Sequence, residues 1–426
     1  MIADQTQHRP SIGHGRNVID TVGVVALGAA IPVLIAGRGA LGVAAVVALL
    51  CLLTSVPRRD LAHGINEAFK SPLGGAVWLT FAVWLVSVAV SPEIGRSAMI
   101  WLRMIALLTA GTALAVVLRQ REDLLERSLR MLVVASMAGV VLGLAALHLL
   151  PDSFAWLRGH AGEAVATEIL KSYGTAVACL MPVVLWAGWR AGGVWRLTVL
   201  VFQVLAVALL FSLQSRSGLA AAGLGLGVVG AWLALRRLGR WGVVAVVLVA
   251  AGLLSVVFLD SERNNTIEAA LGLPTWMVDA HRQAIWNFAL SGFGYAPWFG
   301  TGFDMITRLP GAQEIVAGST SEILPSHPHN FAVEVLIETG AVGFSVFAMT
   351  LVLLLAGGLR SLRRCGTAGA ALLGLSAAFW FASLVSYSFW SFWWQATYVL
   401  LMALVVAALT PGQVSAGLGL KGSVKQ

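Results

Sequence analysis

The stretch SHPHNFAVEVLIETGAVG, residues 326–343, sets His327, His329 and Asn330 directly before a long apolar run, with Glu334 and Glu338 inside its first turns. A neutral imidazole near its ordinary pKa of about 6.5 is a competent general base at physiological pH, which makes His329 a candidate to take a proton from a hydroxyl. The structural alternative is a helix cap, with Asn330 and His327 solvating a helix end. Glu334 and Glu338 are one turn apart and share a helix face. Carboxylates inside an apolar span face a cavity or a partner, such as an outer arginine.

SRSG (215–218) is a short connection between two apolar runs. Ser217 and Gly218 open the second run, and the N-terminal amides of a helix carry partial positive charge. Arg216 beside them makes an anion site suited to phosphate by bidentate hydrogen bonding. Its alternative is an arginine snorkelling to lipid headgroups. In DAHRQAIW (279–286), Arg282 precedes Trp286 by one turn, and residues 279–293 have the spacing of an amphipathic helix expected at the membrane surface, where a basic residue is ordinary. His281, His327 and His329 supply only an H-x-H spacing with no supporting carboxylate, so no metal site is expected. GLGLGVVG (223–230) contains G-x-G-x-x-G, yet no strand precedes it; small residues there suit close helix packing better than a dinucleotide. YSFWSFWWQATY (387–398) reads chiefly as an interfacial aromatic belt, or else as a platform for sugar rings or a polyprenyl chain.

The elements that must hold these residues are membrane helices. Of 426 residues, 58% are hydrophobic and 11% charged, and the mean hydropathy is +0.85. Apolar runs long enough to cross a bilayer recur along the chain. We count about twelve: 18–37, 39–56, 73–91, 97–118, 129–150, 172–189, 195–213, 218–235, 241–259, 329–357, 368–388 and 391–409. The fold class is therefore an all-α integral membrane protein. The first run lacks a small-residue cleavage pattern and is expected to be retained as a helix. Cys51, Cys179 and Cys365 offer neither a disulfide framework nor a metal spacing.

With the N-terminus placed in the cytoplasm, 19 of the 28 Lys and Arg residues fall on inner segments, so the excess of +8 is an orientation signal with both termini inside, not a nucleic-acid footprint. Two outer segments are long, 151–171 and 260–328. The second is too long for a passive turn and is expected to be structured and functional. It includes the turn-rich YAPWFGTGFDM (295–305). Arg158, Lys171 and Tyr173, in and just after the first, are placed either to support substrate binding or to form a solvated loop. The chain divides into an N-terminal bundle (1–199, about six helices), a central region (200–345) and C-terminal helices with a tail (346–426). A transporter is disfavoured: there is no strong internal repeat, and Arg103 and Glu338, among the few charges within spans, sit toward the outer end.

In their order and joint placement these motifs resemble the O-antigen ligase family and its relatives, the O-antigen polymerases and protein O-oligosaccharyltransferases. The resemblance runs over roughly residues 200–345: Arg216 in SRSG, Arg282 with Trp286, Pro297, Gly300 and Gly302 in PWFGTG, then His329, Asn330, Glu334, Gly340 and Gly343. It implies a membrane-embedded glycosyltransferase of the GT-C kind, without metal or cofactor, in the Gram-negative inner membrane with its active site facing the periplasm. The implied donor is an undecaprenyl diphosphate-linked glycan. The acceptor is a sugar hydroxyl of lipid A–core in the ligases, another lipid-linked repeat in the polymerases, and a serine or threonine in the oligosaccharyltransferases. The resemblance implies Arg216 and Arg282 as diphosphate ligands and His329 as the catalytic histidine. A single structured outer loop and about twelve spans favour the ligase reading.

Overall fold

The structure, a computed structural model, describes residues 14–157, 165–259, 270–274, 278, 280–315, 322–324 and 326–409. Hydrocarbon offers no partner to backbone N–H and C=O groups, so a chain this apolar satisfies them within helices. The α-helices are α1 (His14–Ala29), α2 (Arg38–Leu53), α3 (Arg58–Lys70), α4 (Pro72–Ala89), α5 (Ile94–Gln120), α6 (Glu122–His148), α7 (Pro151–Leu157), α8 (Val165–Ala191), α9 (Val194–Ser212), α10 (Arg216–Leu259), α11 (Ala280–Ser291), α12 (Phe331–Cys365), α13 (Thr367–Val385) and α14 (Phe392–Ala407). Each apolar run counted in the sequence falls on this helical framework. Among the described residues eight helices are long and apolar enough to cross a membrane, or nine if the bent pair α2 and α3 is one span; α14 and the described part of α1 are shorter.

The connection after α2 is itself a helix: Pro57 precedes α3, which turns 119° away from α2 and buries none of its residues. The 44 residues of α10 would extend about 66 Å, twice a bilayer's apolar thickness. Gly239, at φ 69°, breaks this helix within RRLGR, where the sequence placed a turn between two runs.

One continuous core joins the faces of α1, α2, α5, α6, α8, α9, α10, α13 and α14. The helix α8 is its most enclosed member, packing on α6, α9, α10 and α13. Gly225 of α10 meets Gly374 of α13 so closely that an added Cβ on Gly225 would lie 2.9 Å from the Gly374 carbonyl oxygen. Within the G-x-G-x-x-G pattern, Gly225 thus serves close helix packing.

A second, aromatic core lies between α4, α5, α12 and the α13–α14 turn. Phe303 stacks on Trp390 with ring centres 4.4 Å apart, and Trp84 meets both edge-on. Most of the YSFWSFWW aromatics are accordingly buried rather than interfacial: Phe389, Trp390, Trp393 and Trp394 are all at most 6% exposed. The reason is local. The turn carrying them folds inward, and its amides and carbonyls are satisfied by buried Glu334 and Gln395.

The loop Pro297–Gly302 is built into a break in α12. Gly340, at φ 67° and ψ 179°, interrupts that helix. The Thr301 and Gly302 amides donate to the Ile337 and Glu338 carbonyls at 3.2 and 3.0 Å, while the Ala341 and Val342 amides donate to the Pro297 and Trp298 carbonyls at 2.8 and 3.1 Å. Gly300 lies against the Glu338 backbone and Gly340 against that of Trp298, so close that any side chain at either glycine would collide with main chain. This accounts physically for the paired glycine motifs.

Candidate functional site

Asn330 caps α12: its Oδ1 accepts from the Ala332 and Val333 amides at 3.0 and 3.3 Å. Capping at this end is therefore the work of Asn330, and the two histidines are engaged elsewhere. His329 has φ 52°, a left-handed conformation uncommon outside glycine and found where surrounding structure enforces it. Its Nδ1 lies 2.5 Å from the Ser386 carbonyl oxygen. A carbonyl only accepts, so Nδ1 carries the proton, and in the neutral ring the lone pair resides on Nε2. The His327 Nε2 donates to the same carbonyl at 2.9 Å, and its Nδ1 lies 2.9 Å from the Ser326 hydroxyl. The two imidazole centres are 4.2 Å apart. Burial lowers the His327 pKa, partly offset by the Ser386 bond and reinforced by the positive charges of Arg38 and Arg282.

Trp286 of α11 donates its indole N–H to the Pro328 carbonyl at 2.8 Å, immediately before His329. Arg282, one helical turn earlier and half-buried, is thereby brought to the histidines. The apolar face of α11 was expected to lie on the membrane. Instead it packs into a small core with Ile306, Leu309, Ala312, Leu324 and Ile337, because the loop folds over it. Gln283, absent from the sequence reading, anchors this arrangement: fully buried, it bonds the backbone of Leu271, Leu273 and Val278.

Glu334 and Glu338 are buried and act as braces; their hydrogen bonds go to main-chain amides and an indole. Glu334 Oε2 accepts from the Phe389 amide at 2.6 Å. Glu338 accepts from the Asp304 and Ile306 amides at 2.6 and 2.8 Å and from the Trp390 indole. Together they tie the 303–306 segment and the 386–391 turn, and with the turn the Ser386 carbonyl, to the start of α12.

Arg216 is exposed at the first position of α10, where the Ser215 hydroxyl accepts from the Gly218 amide at 3.3 Å. Leu213, just before it, packs against Gly174 of α8, and neighbouring Thr175 lies 3.2 Å from the Tyr387 hydroxyl. A chain of contacts therefore carries SRSG to the same end of the bundle as Ser386 and the histidines. Lys171, one turn before Thr175, is exposed and paired with Glu168 at 2.7 Å. Tyr173 is buried in the helix core with its hydroxyl against Gly139. Arg158 lies outside the described residues.

Arg38 and Ser386 are contributors that sequence reasoning missed. Arg38 begins α2, sits 5.2 Å from the Trp393 ring centre and contributes positive charge at His327. Its signal was its place as an arginine in the otherwise apolar turn between two apolar runs. The Ser386 contribution is a main-chain oxygen, which has no sequence signature. Among the described residues no group of three His, Cys, Asp or Glu side chains is arranged to hold a metal ion.

Fold and site together define a polytopic, all-helical membrane protein with a histidine–arginine cluster at one end of its bundle. Residues 201–348 match the family model described as O-antigen ligase, nearly the same stretch that carries the motif resemblance. A protein of Rickettsia bellii (strain RML369-C) named "Putative polysaccharide ligase" is 26% identical over 140 residues, covering 31% of this chain and 33% of that protein. The chain thus aligns with about a third of that relative's length. The matched region contains Arg216, Arg282, His329, Glu334, Glu338 and Gly340.

Proposed function

We infer that the protein is a glycosyltransferase of the O-antigen ligase type. It moves a glycan from undecaprenyl diphosphate to a sugar hydroxyl of lipid A–core in lipopolysaccharide biosynthesis, at the periplasmic face of the Gram-negative inner membrane, with both termini cytoplasmic and residues 200–345 as its core. The observation that carries this reading is the contact of His329 Nδ1 with the Ser386 carbonyl: a proton held there leaves the lone pair of the neutral ring on Nε2, the atom that would take a hydroxyl's proton.

In the proposed step His329 Nε2 takes the acceptor's proton as its oxygen bonds to the anomeric carbon. The bond from that carbon to the diphosphate oxygen breaks, and undecaprenyl diphosphate departs with the electron pair. Arg216 and Arg282 bind the diphosphate and stabilise its growing charge, so the residues themselves supply the electrostatic assistance. One direct displacement inverts the anomeric centre; a product that retained configuration would overturn it.

The test is transfer by purified protein from undecaprenyl diphosphate-linked glycan to lipid A–core, with EDTA and without nucleotide. Wild type should glycosylate the acceptor. His329→Ala should be about 10²–10⁴-fold slower, the usual contribution of a general base, and Arg216→Ala should also lose activity. Longer lipid-linked polymer with no glycosylated core would assign a polymerase instead, and full activity in both variants would overturn the site.

A further inference from the structure

A cavity of about 460 Å³ adjoins the histidine pair, in the size range of ligand pockets. Arg96, Arg103, Asp304 and His327 line it, together with Ser326, Ser388 and Ser391; neither Arg216 nor Arg282 does. Its two arginines differ. Arg96 is neutralised by Asp304, to which its Nε donates at 3.0 Å. Arg103 has no carboxylate within ion-pair distance among the described residues; the Asp304 carboxylate, already bonded to Arg96, acts on it only at longer range. It donates one N–H to the Trp390 carbonyl and lies 5.9 Å from the Phe392 ring centre, while its buried Nε finds no acceptor among the described residues.

Arg103 also stands about two and a half turns inside α5, a membrane-length helix. A cation within an apolar span, even toward its end, is costly and is kept where it faces a polar cavity or meets an anion. A guanidinium has five donors, far more than one carbonyl uses. The surrounding hydroxyls match sugar hydroxyls, and Met99, Ile100 and Phe392 offer apolar surface to a sugar's C–H face.

We propose that this cavity is the acceptor subsite and that it takes an anionic sugar, bearing a carboxylate or a phosphate, with Arg103 as the counter-charge. The assignment to the acceptor rests on the transferase reading above, which gives the donor's diphosphate to Arg216 and Arg282. His327 lines the cavity and abuts His329, so a sugar held here sits beside the candidate base.

The test is calorimetric binding of a short hexose oligosaccharide to the full chain in nanodiscs, in three forms: neutral, with one uronate carboxylate, and with one phosphate monoester. Wild type should bind one or both charged forms roughly tenfold or more tightly than the neutral one, as a charge-assisted contact implies. Preference for the carboxylate alone or the phosphate alone names the anion. Arg103→Gln should abolish the preference and Arg103→Lys should keep part of it. Ser326→Glu, which adds a negative charge at the exposed rim without touching the Arg103 contacts, should also reduce it. Equal binding of all three forms by wild type, or a preference that survives both Arg103→Gln and Ser326→Glu, would overturn the proposal. So would Arg103→Gln weakening all three forms alike. Binding is read without turnover, so failure of glycan transfer would refute the transferase reading separately.

Discussion

The joint between α12 and the Pro297–Gly302 loop predicts a severe effect from a single methyl group. In Gly340→Ala the new Cβ would lie 2.3 Å from the Trp298 carbonyl carbon and 2.4 Å from the Phe299 nitrogen. Both are main-chain atoms, which cannot swing aside as a side-chain tip can. Ordinary contact needs at least about 3.4 Å, so loop and helix must part by about 1 Å. Of the four hydrogen bonds between them, now 2.8–3.2 Å, the two from the Ala341 and Val342 amides beside the new methyl would stretch beyond useful range. Losing two of them costs about 2 kcal/mol. An alanine held at φ 67° and ψ 179°, a region nearly exclusive to glycine, costs about 2 kcal/mol more. The expected loss is about 4 kcal/mol, large for any point substitution. Gly223→Ala is the matched control. It lies in α10 with nothing within 4 Å of its added Cβ, so it should be neutral or stabilise by up to about 1 kcal/mol. Unfolding in mixed micelles, followed by tryptophan fluorescence, compares the two. A Gly340→Ala stability within about 1 kcal/mol of the control would refute the argument.

Three other variants probe the supports of the site. Glu338→Gln replaces an acceptor of three N–H donors with a group that has one acceptor oxygen and brings its own N–H₂; it should cost about 2 kcal/mol in the same unfolding assay. Trp286→Phe keeps an aromatic ring, though a smaller one, and removes the bond to the Pro328 carbonyl, so stability should fall by at least about 1 kcal/mol while kcat for glycan transfer falls several-fold. The His327 pKa is depressed in the folded protein, so the unfolded chain binds more protons at mildly acidic pH. Its contribution is therefore present above the unfolded value of about 6.5 and is lost as pH falls below it. Wild type should lose thermal stability between pH 7 and pH 5, and His327→Asn should lose less.

Much of the architecture was legible in the chain because a bilayer leaves few choices. Long apolar runs must become helices, and lysines and arginines gather where the chain must not cross. The local motifs were legible for similar reasons: SRSG opens a helix, Asn330 caps one, and R-x-x-x-W sets two side chains on one face. What these residues touch belonged to the tertiary structure alone. No pattern says that a carboxylate will satisfy two main-chain amides of one distant turn and an indole of another, as Glu338 does, or that the α11 face expected on the membrane will be covered by its own loop. Nor does any pattern reveal that the Ser386 carbonyl sets the His329 tautomer, since a backbone oxygen is present at every position and acquires a role only through where the chain has been brought. Burial works the same way: YSFWSFWW has the composition of an interfacial belt, and only the inward fold of its turn, pinned by Glu334 and Gln395, makes it core. Periodicity and charge are properties of neighbours in sequence, and they determined the helices and their order. The pairing of groups fifty or more residues apart depends on how those helices pack, and that decided the site.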